Sequence, residues 1–213
     1  MDYEVINWAA YPRRAHFDYF NAMADPYAGV TVEVEAARFL AACERKTLPF
    51  FLSFLYCAGR AANQVPQLRQ RILDGRPVEF RHCDTSHTVM RADGTYSYCR
   101  LNCMQPFEDY LPAALLRQDE ARESGSLDDG EDALSLLFIS TLPWLRYTAI
   151  RQPVPSPADS NPRITWGRYT RSGGQVLLPV TLLANHALVD GAHMAAFYAA
   201  LEEELDRFAE GRG

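Results

Sequence analysis

The chain has 213 residues, 48% of them hydrophobic and 23% charged, and a formal net charge of -6. That length and composition suit an ordinary soluble protein with one good core, so a single domain spanning 1–213 is expected. The acidic balance, with no basic stripe, argues against nucleic acid as a partner, because neutralising phosphates takes a basic surface.

Residues 1–8 are acidic and lack the positive flank and apolar core of a signal peptide. No apolar run approaches the roughly 20 residues of a spanning helix, so a cytoplasmic location without a membrane partner is expected. Apolar residues recur at helical spacing from Ala36 to Leu40 and from Pro49 to Ala62. Asp74-Gly75-Arg76-Pro77 reads as a turn into a strand at Val78–Arg81. Thr88–Met90 and Thr95–Leu101, joined across Ala92-Asp93-Gly94, read as a β-hairpin. The acidic stretch Asp119–Asp132 reads as a solvated loop. Leu134–Ser140 and Ile164–Tyr169 are strand candidates on either side of Gln152–Pro162, whose prolines rule out a central strand and which is placed to cover a pocket. Val176–Ala184 is almost continuously apolar and reads as a strand buried on both faces, although a buried helix gives the same pattern. Met194, Phe197, Leu201, Leu205 and Phe208 then recur at three- and four-residue steps, marking an amphipathic helix. The sum is an α/β chain with much β-structure in its second half.

Cys43, Cys57, Cys83, Cys99 and Cys103 form an odd set with no C-x-x-C pair, which argues against a disulfide framework and a structural zinc site. Nothing in their surroundings marks one as an activated nucleophile. The chemistry points instead to Asn185-His186-Ala187-Leu188-Val189-Asp190-Gly191, between the apolar run and the last helix. An imidazole with histidine's ordinary pKa of about 6.5 is mostly neutral at pH 7 and can take a proton from a hydroxyl or thiol. Positioned acid–base catalysis of that kind contributes about 10²- to 10⁴-fold. Two plain structural readings compete: a core histidine bonded to a carbonyl, and an aspartate that only caps the helix.

Six segments shift that balance. Trp8 is followed by Arg13-Arg14-Ala15-His16-Phe17; Ala62-Asn63-Gln64 by Leu68-Arg69-Gln70-Arg71-Ile72; then come His87-Thr88-Val89, Ile139-Ser140-Thr141-Leu142-Pro143-Trp144, Pro162-Arg163-Ile164-Thr165-Trp166-Gly167-Arg168-Tyr169, and Leu178-Pro179-Val180 leading to the histidine. In this order they resemble the chloramphenicol acetyltransferase family, homotrimers that use acetyl-CoA and share their fold with the acyltransferase core of 2-oxo acid dehydrogenase complexes. The resemblance implies a CoA-dependent acyltransferase fold, a mixed β-sheet flanked by helices.

Carried over by position, His186 matches the family's catalytic base and Asp190 the aspartate that pairs with an arginine, here Arg13. In the family the base's other ring nitrogen bonds to its own carbonyl. Ser140 matches the serine that stabilises the oxyanion, a kind of donor typically worth about 2.7–4 kcal/mol. Thr165 matches a threonine that holds a water near the same intermediate. Arg168, Tyr169 and Lys46 match residues on the CoA side; Phe20, Tyr19 and Tyr96 fall at or beside acceptor-contacting positions. The resemblance implies no permanently bound cofactor, acetyl-CoA as cosubstrate, a small hydroxyl-bearing acceptor, and a homotrimer with sites between subunits.

The departures bear mainly on the acceptor. Asn185 replaces the first histidine of the family's pair, His87 stands where phenylalanine is usual, and Arg168 replaces a lysine while keeping a charge suited to phosphate. After Trp144 the family's aromatic, asparagine-rich run gives way to Leu145-Arg146-Tyr147-Thr148-Ala149-Ile150-Arg151, and an arginine in an apolar pocket would need a partner. Two further readings stay open: an enzyme with another acyl donor or an amine acceptor, and a non-catalytic small-molecule-binding homologue.

Overall fold

The computed structural model describes residues 2–130 and 132–211. In chain order it runs β1 (Tyr3–Val5), a 3-10 turn at Trp8–Ala10, α1 (Arg14–Asn21), β2 (Tyr27–Glu35), α2 (Ala37–Lys46), α3 (Phe50–Gln64), α4 (Pro66–Arg69), β3 (Gln70–Leu73) and β4 (Arg76–Phe80). There follow β5 (Thr85–Met90), β6 (Tyr96–Leu101), α5 (Phe107–Ser124), a 3-10 turn at Ala133–Ser135, β7 (Leu137–Leu142), β8 (Arg163–Gly167), β9 (Thr170–Ser172), β10 (Gln175–Asn185) and α6 (Gly191–Ala209). Seven strands make a mixed sheet in the order β2-β10-β8-β7-β5-β6, with β9 paired to β10. β7 lies parallel to β5 and β8, and the other neighbours are antiparallel. A small sheet, β1-β4-β3, stands apart.

The apolar run is a strand, buried from Leu178 to Asn185 because β2 and β8 cover its edges and side chains cover its faces. Pro179, which has no N–H to give, falls where the ladder on one side breaks, between β9 at Leu177 and β8 at Val180. Helices cover one face of the sheet, where Phe54 of α3 meets Trp166 at 4.9 Å between ring centres. Phe39 of α2 and Phe208 of α6 continue this core at 5.1 Å. Among the described residues, no helix is long and apolar enough to cross a membrane.

The turn at Asp74-Gly75 has left-handed backbone at both residues, with φ of 49° and 71°, which suits a two-residue hairpin loop. The hairpin across Ala92-Asp93-Gly94 likewise forms, with Gly94 at φ 83°. One expectation is overturned: Asp119–Ser124 is not loop but the last turns of α5, while Glu131 of the same stretch lies outside the described residues. This helix buries only a narrow stripe at Tyr110, Ala114 and Ala121 and carries Pro112 inside it, so no broad apolar periodicity announces it. The Arg117–Glu120 and Asp119–Arg122 pairs support its exposed side.

β5 and β7 pair only from Thr85↔Leu137 to His87↔Ile139, although the strands continue to Met90 and Leu142. Beyond that point the sheet forks.

Candidate active site

β10 ends at Asn185, and a tight turn carries the chain to α6. His186 N–H donates to the Pro26 carbonyl at 2.7 Å, and the N–H groups of Leu188 and Val189 both return to the Asn185 carbonyl at 3.0 Å. Asn185 is buried; its Oδ1 accepts from Ala187 N–H at 3.0 Å and its Nδ2 donates to the Asp159 carbonyl at 3.1 Å.

His186 Nδ1 lies 2.7 Å from the Val189 carbonyl. A carbonyl only accepts, so Nδ1 carries the ring proton and Nε2 keeps a free lone pair. This corrects the expectation of a bond to the residue's own carbonyl. The turn swings the Val189 oxygen onto the ring, and the His186 carbonyl instead accepts from Arg13 Nη2 at 3.3 Å. Phe20 stacks on the imidazole with ring centres 4.0 Å apart, and the exposed Tyr19 meets Phe20 edge-on at 5.1 Å.

Asp190 serves two structures at once. Its Oδ2 pairs with Arg13 Nη1, and its Oδ1 accepts from Ala192 N–H at 3.0 Å as the N-cap of α6. His193 Nδ1 accepts from Asp190 N–H at 3.1 Å, completing a capping box in which an imidazole replaces the usual glutamate or glutamine. The carboxylate is thus taken up by Arg13 and the helix start, not by the His186 ring. Burial raises its pKa, but the cationic forms of His193 and Arg13, with hydrogen bonds from Ala192 and Arg13, outweigh that and hold it below the usual carboxylate value. The pair is only partly buried, with side chains 13% and 35% exposed for Arg13 and Asp190, so solvent screens some of its strength.

Ser140 lies on β7 opposite Thr165 of β8, itself opposite Thr181 of β10. Thr165 is buried, and its Oγ1 has no hydrogen-bond partner among the described residues. A cavity of about 740 Å³ opens where β5 and β7 part; Ser140, Tyr96, Trp144, Gln152 and Pro153 are among its walls. The proline-bearing loop therefore does border a pocket. Arg146 stays outside it, in a 3.8 Å pair with Glu33 at the surface, and Arg151 pairs with Asp25.

His87 lies beside this cavity, 1% exposed, with Phe51 against its ring and Gln118 Nε2 3.0 Å from its own Nε2. An amide nitrogen donates, so His87 accepts there and is neutral with its proton on Nδ1, which makes no well-formed hydrogen bond among the described residues and has only the Cys99 backbone near it. Burial drives its pKa down to about 4 against a weaker upward pull from the Cys99 backbone.

His186 and Ser140 do not meet within one chain. His186 follows five positions beyond Thr181 on β10, and two strand spacings separate β10 from β7. At about 3.3 Å per residue and about 4.8 Å per strand, that is roughly 19 Å. Phe20 and Tyr19 stand with His186, whereas Tyr96 stands with Ser140.

The expected CoA-side residues lie on the surface around the α2–α3 junction. Arg168 is exposed just after β8, its N–H held by the Leu145 carbonyl at 2.7 Å. Tyr169 packs on Phe50, the first residue of α3, at 5.6 Å, and Lys46 is exposed at the end of α2. Arg171 on β9 pairs with Glu44 of α2 at 2.6 Å, tying the two sides together. All five cysteines are free and buried, and burial raises each thiol's pKa, so none is a ready nucleophile.

Sequence reasoning missed His193, the Gln118 partner of His87, and the network around Asp159. The spacing D-x-x-H at Asp190–His193 is a readable signal, a variant of the capping-box pattern. The His87–Gln118 contact and the bonds of Asp159 to Tyr27 and Asn185 join residues distant in sequence and leave no local trace.

A family model described as chloramphenicol acetyltransferase matches residues 1–202. Chloramphenicol acetyltransferase 3 of Escherichia coli is 25% identical over 207 residues, covering 94% of each chain. The chloramphenicol acetyltransferase of Streptomyces acrimycini is 26% identical over 196 residues, 89% of this chain and 88% of its own. A solved chloramphenicol acetyltransferase superposes with a TM-score of 0.87 at 26% identity, over 95% of this chain and 99% of its own. The dihydrolipoamide acetyltransferase of Azotobacter vinelandii, at 17% identity and a TM-score of 0.66, shares the fold. With a free imidazole nitrogen at the end of β10, this mixed sheet, and a family match along nearly its whole length, the chain belongs to the chloramphenicol acetyltransferase family and is an acyltransferase.

Proposed function

We propose that the protein transfers an acetyl group from acetyl-CoA to a hydroxyl of a small molecule, with His186 as general base. The observation that carries this reading is the Nδ1···Val189 carbonyl contact, because it fixes the tautomer whose Nε2 can accept a proton. Nε2 takes the proton of the acceptor hydroxyl, and the oxygen attacks the thioester carbon. Ser140 donates a hydrogen bond to the resulting oxyanion, with Thr165 holding a water beside it. The intermediate collapses as the C–S bond breaks, and the departing thiolate recovers the proton from His186. Asp190 and Arg13 hold the turn; neither takes part in the proton transfer.

His186 and Ser140 lie far apart in one chain, and this supports a site assembled between subunits of a homotrimer. Phe20 and Tyr19 then come from the subunit that supplies the base, and Tyr96 from the one that supplies the serine. Arg168, Tyr169 and Lys46 form the CoA side, two cations for phosphates and one ring for a base. The changed chain after Trp144 and the histidine beside the cavity support an acceptor other than chloramphenicol.

A thiol-release assay with acetyl-CoA and a panel of hydroxyl compounds tests this, with His186→Ala as control. The reading fails if both proteins release CoA equally with every acceptor. A kcat/KM for chloramphenicol near about 10⁶ M⁻¹s⁻¹, typical of efficient enzymes, would remove the case for another acceptor.

A further inference from the structure

Asn185 sits at the meeting point of two structures that the proposed chemistry keeps separate. On one side is the turn of His186, which its Oδ1 braces through Ala187 N–H at 3.0 Å. On the other is the loop leaving Gln152 and Pro153, two walls of the cavity that holds Ser140. That loop is anchored at Asp159. The carboxylate takes a two-pronged hydrogen bond from Arg163, at 2.9 and 2.7 Å, and another from Tyr27. Tyr27 is the register partner of Asn185, and Pro26 next to it receives the His186 N–H. Asp159 therefore presents its backbone carbonyl from a fixed place, and Asn185 Nδ2 binds it at 3.1 Å.

We propose that Asn185 is a positioning residue: by spanning the Ala187 N–H and the Asp159 carbonyl, it ties the orientation of His186 to the loop that walls the cavity. The claim rests on the reading of His186 as the base. A residue here must supply one donor and one acceptor at once, with both partners on backbone. Asparagine does this through its amide, and a neutral imidazole does it through its two nitrogens. Leucine, of similar size, does neither. Removing the bridge leaves the buried Ala187 N–H and the half-buried Asp159 carbonyl unmatched on either side of the turn, which frees the ring to tilt.

The test compares Asn185→Leu and Asn185→His with the native protein. Expected for Asn185→Leu is a fall in kcat of at least tenfold, with the acceptor KM and the calorimetric Kd for CoA each moving less than twofold. Asn185→His is expected to recover most of that loss. With ¹³C-labelled histidine, the His186 ring signal, assigned by its absence in His186→Ala, is expected to shift in Asn185→Leu. An unmoved signal with native kcat overturns the proposal. So does a joint change in kcat, KM and CoA Kd, which marks general distortion, or a histidine variant no better than leucine. If the native protein releases no CoA with any acceptor, the function fails instead, and the ring signal still decides whether Asn185 sets the imidazole.

Discussion

Arg13 binds Asp190 across 177 positions of sequence, and its other amino group holds the carbonyl of His186. The charge pair and the helix cap share one carboxylate, so substitutions can separate them. Asp190→Asn keeps a good N-cap but leaves Arg13 without its counter-ion. Given the partial exposure of the pair, a stability loss of about 1–2 kcal/mol is expected, below the roughly 3–5 kcal/mol of a fully buried pair broken from one side. Asp190→Ala also loses the cap and is expected to be lower by about another 1 kcal/mol. Thermal unfolding should rank native above Asn above Ala; equal midpoints for the two variants would mean that the cap contributes nothing.

Ser140→Ala is expected to lower kcat by about 10²- to 10³-fold, the usual effect of removing one oxyanion donor. The wide spacing of Ser140 from His186 makes a sharper test. Ser140→Ala and His186→Ala chains, unfolded, mixed and refolded together, should recover activity that neither has alone. With sites formed between chains, as proposed, a mixed assembly contains places where an intact histidine faces an intact serine from another chain. If each chain builds its own site, the mixture stays as inactive as its parts.

His87 should make the protein acid-sensitive. Above about pH 6.5 the imidazole is neutral in both folded and unfolded chains and contributes nothing. Below that, the unfolded chain takes up a proton that the folded chain refuses until about pH 4, so stability falls through this window. The full loss from this group is about 3 kcal/mol. The pKa of His193 is also lowered by burial, though the Asp190 charge opposes it, and it acts in the same direction. Chemical unfolding of His87→Phe at pH 7 and pH 4.5 is expected to show a shallower fall than the native protein; parallel curves would exclude this role for His87.

Gly167 has a structural reason for its place in the P-x-I-T-x-G segment. A Cβ there would lie 2.6 Å from the Leu145 carbonyl and 2.9 Å from the Tyr147 ring, because the chain after Trp144 crosses directly over β8. The carbonyl is backbone and also receives the Arg168 N–H at 2.7 Å, so it cannot easily yield. Gly167→Ala is expected to cost about 1–3 kcal/mol of stability. Its CoA affinity, measured by calorimetry, should fall as Arg168 moves.

The elements legible in the sequence were those whose burial is broad. β10 and α6 declared themselves because β10 is covered on both faces and α6 buries a stripe from Met194 to Phe208. β2 carries no such signal because it is an edge strand with mostly half-buried or exposed side chains, and α1 none because it buries only Phe17. Around the turn, the grouping of His186, Asp190 and Arg13 is legible because the motifs that carry them are local. Which carbonyl receives Nδ1 is not legible in the sequence, since it depends on how a four-residue turn closes. The Asn185–Asp159 bridge and the His87–Gln118 pair join segments 26 and 31 positions apart, and one sequence holds no trace of such pairings.

The parting of β5 from β7 changes what the sheet is. A continuous sheet is a partition: its backbone is hydrogen-bonded edge to edge, and nothing the size of a substrate passes through. Past His87 and Ile139 that bonding stops, while both strands run on for three more residues and line the cavity. There the backbone no longer seals the sheet edge to edge, and the side chains of Ser140, Tyr96 and Trp144 form the walls in its place.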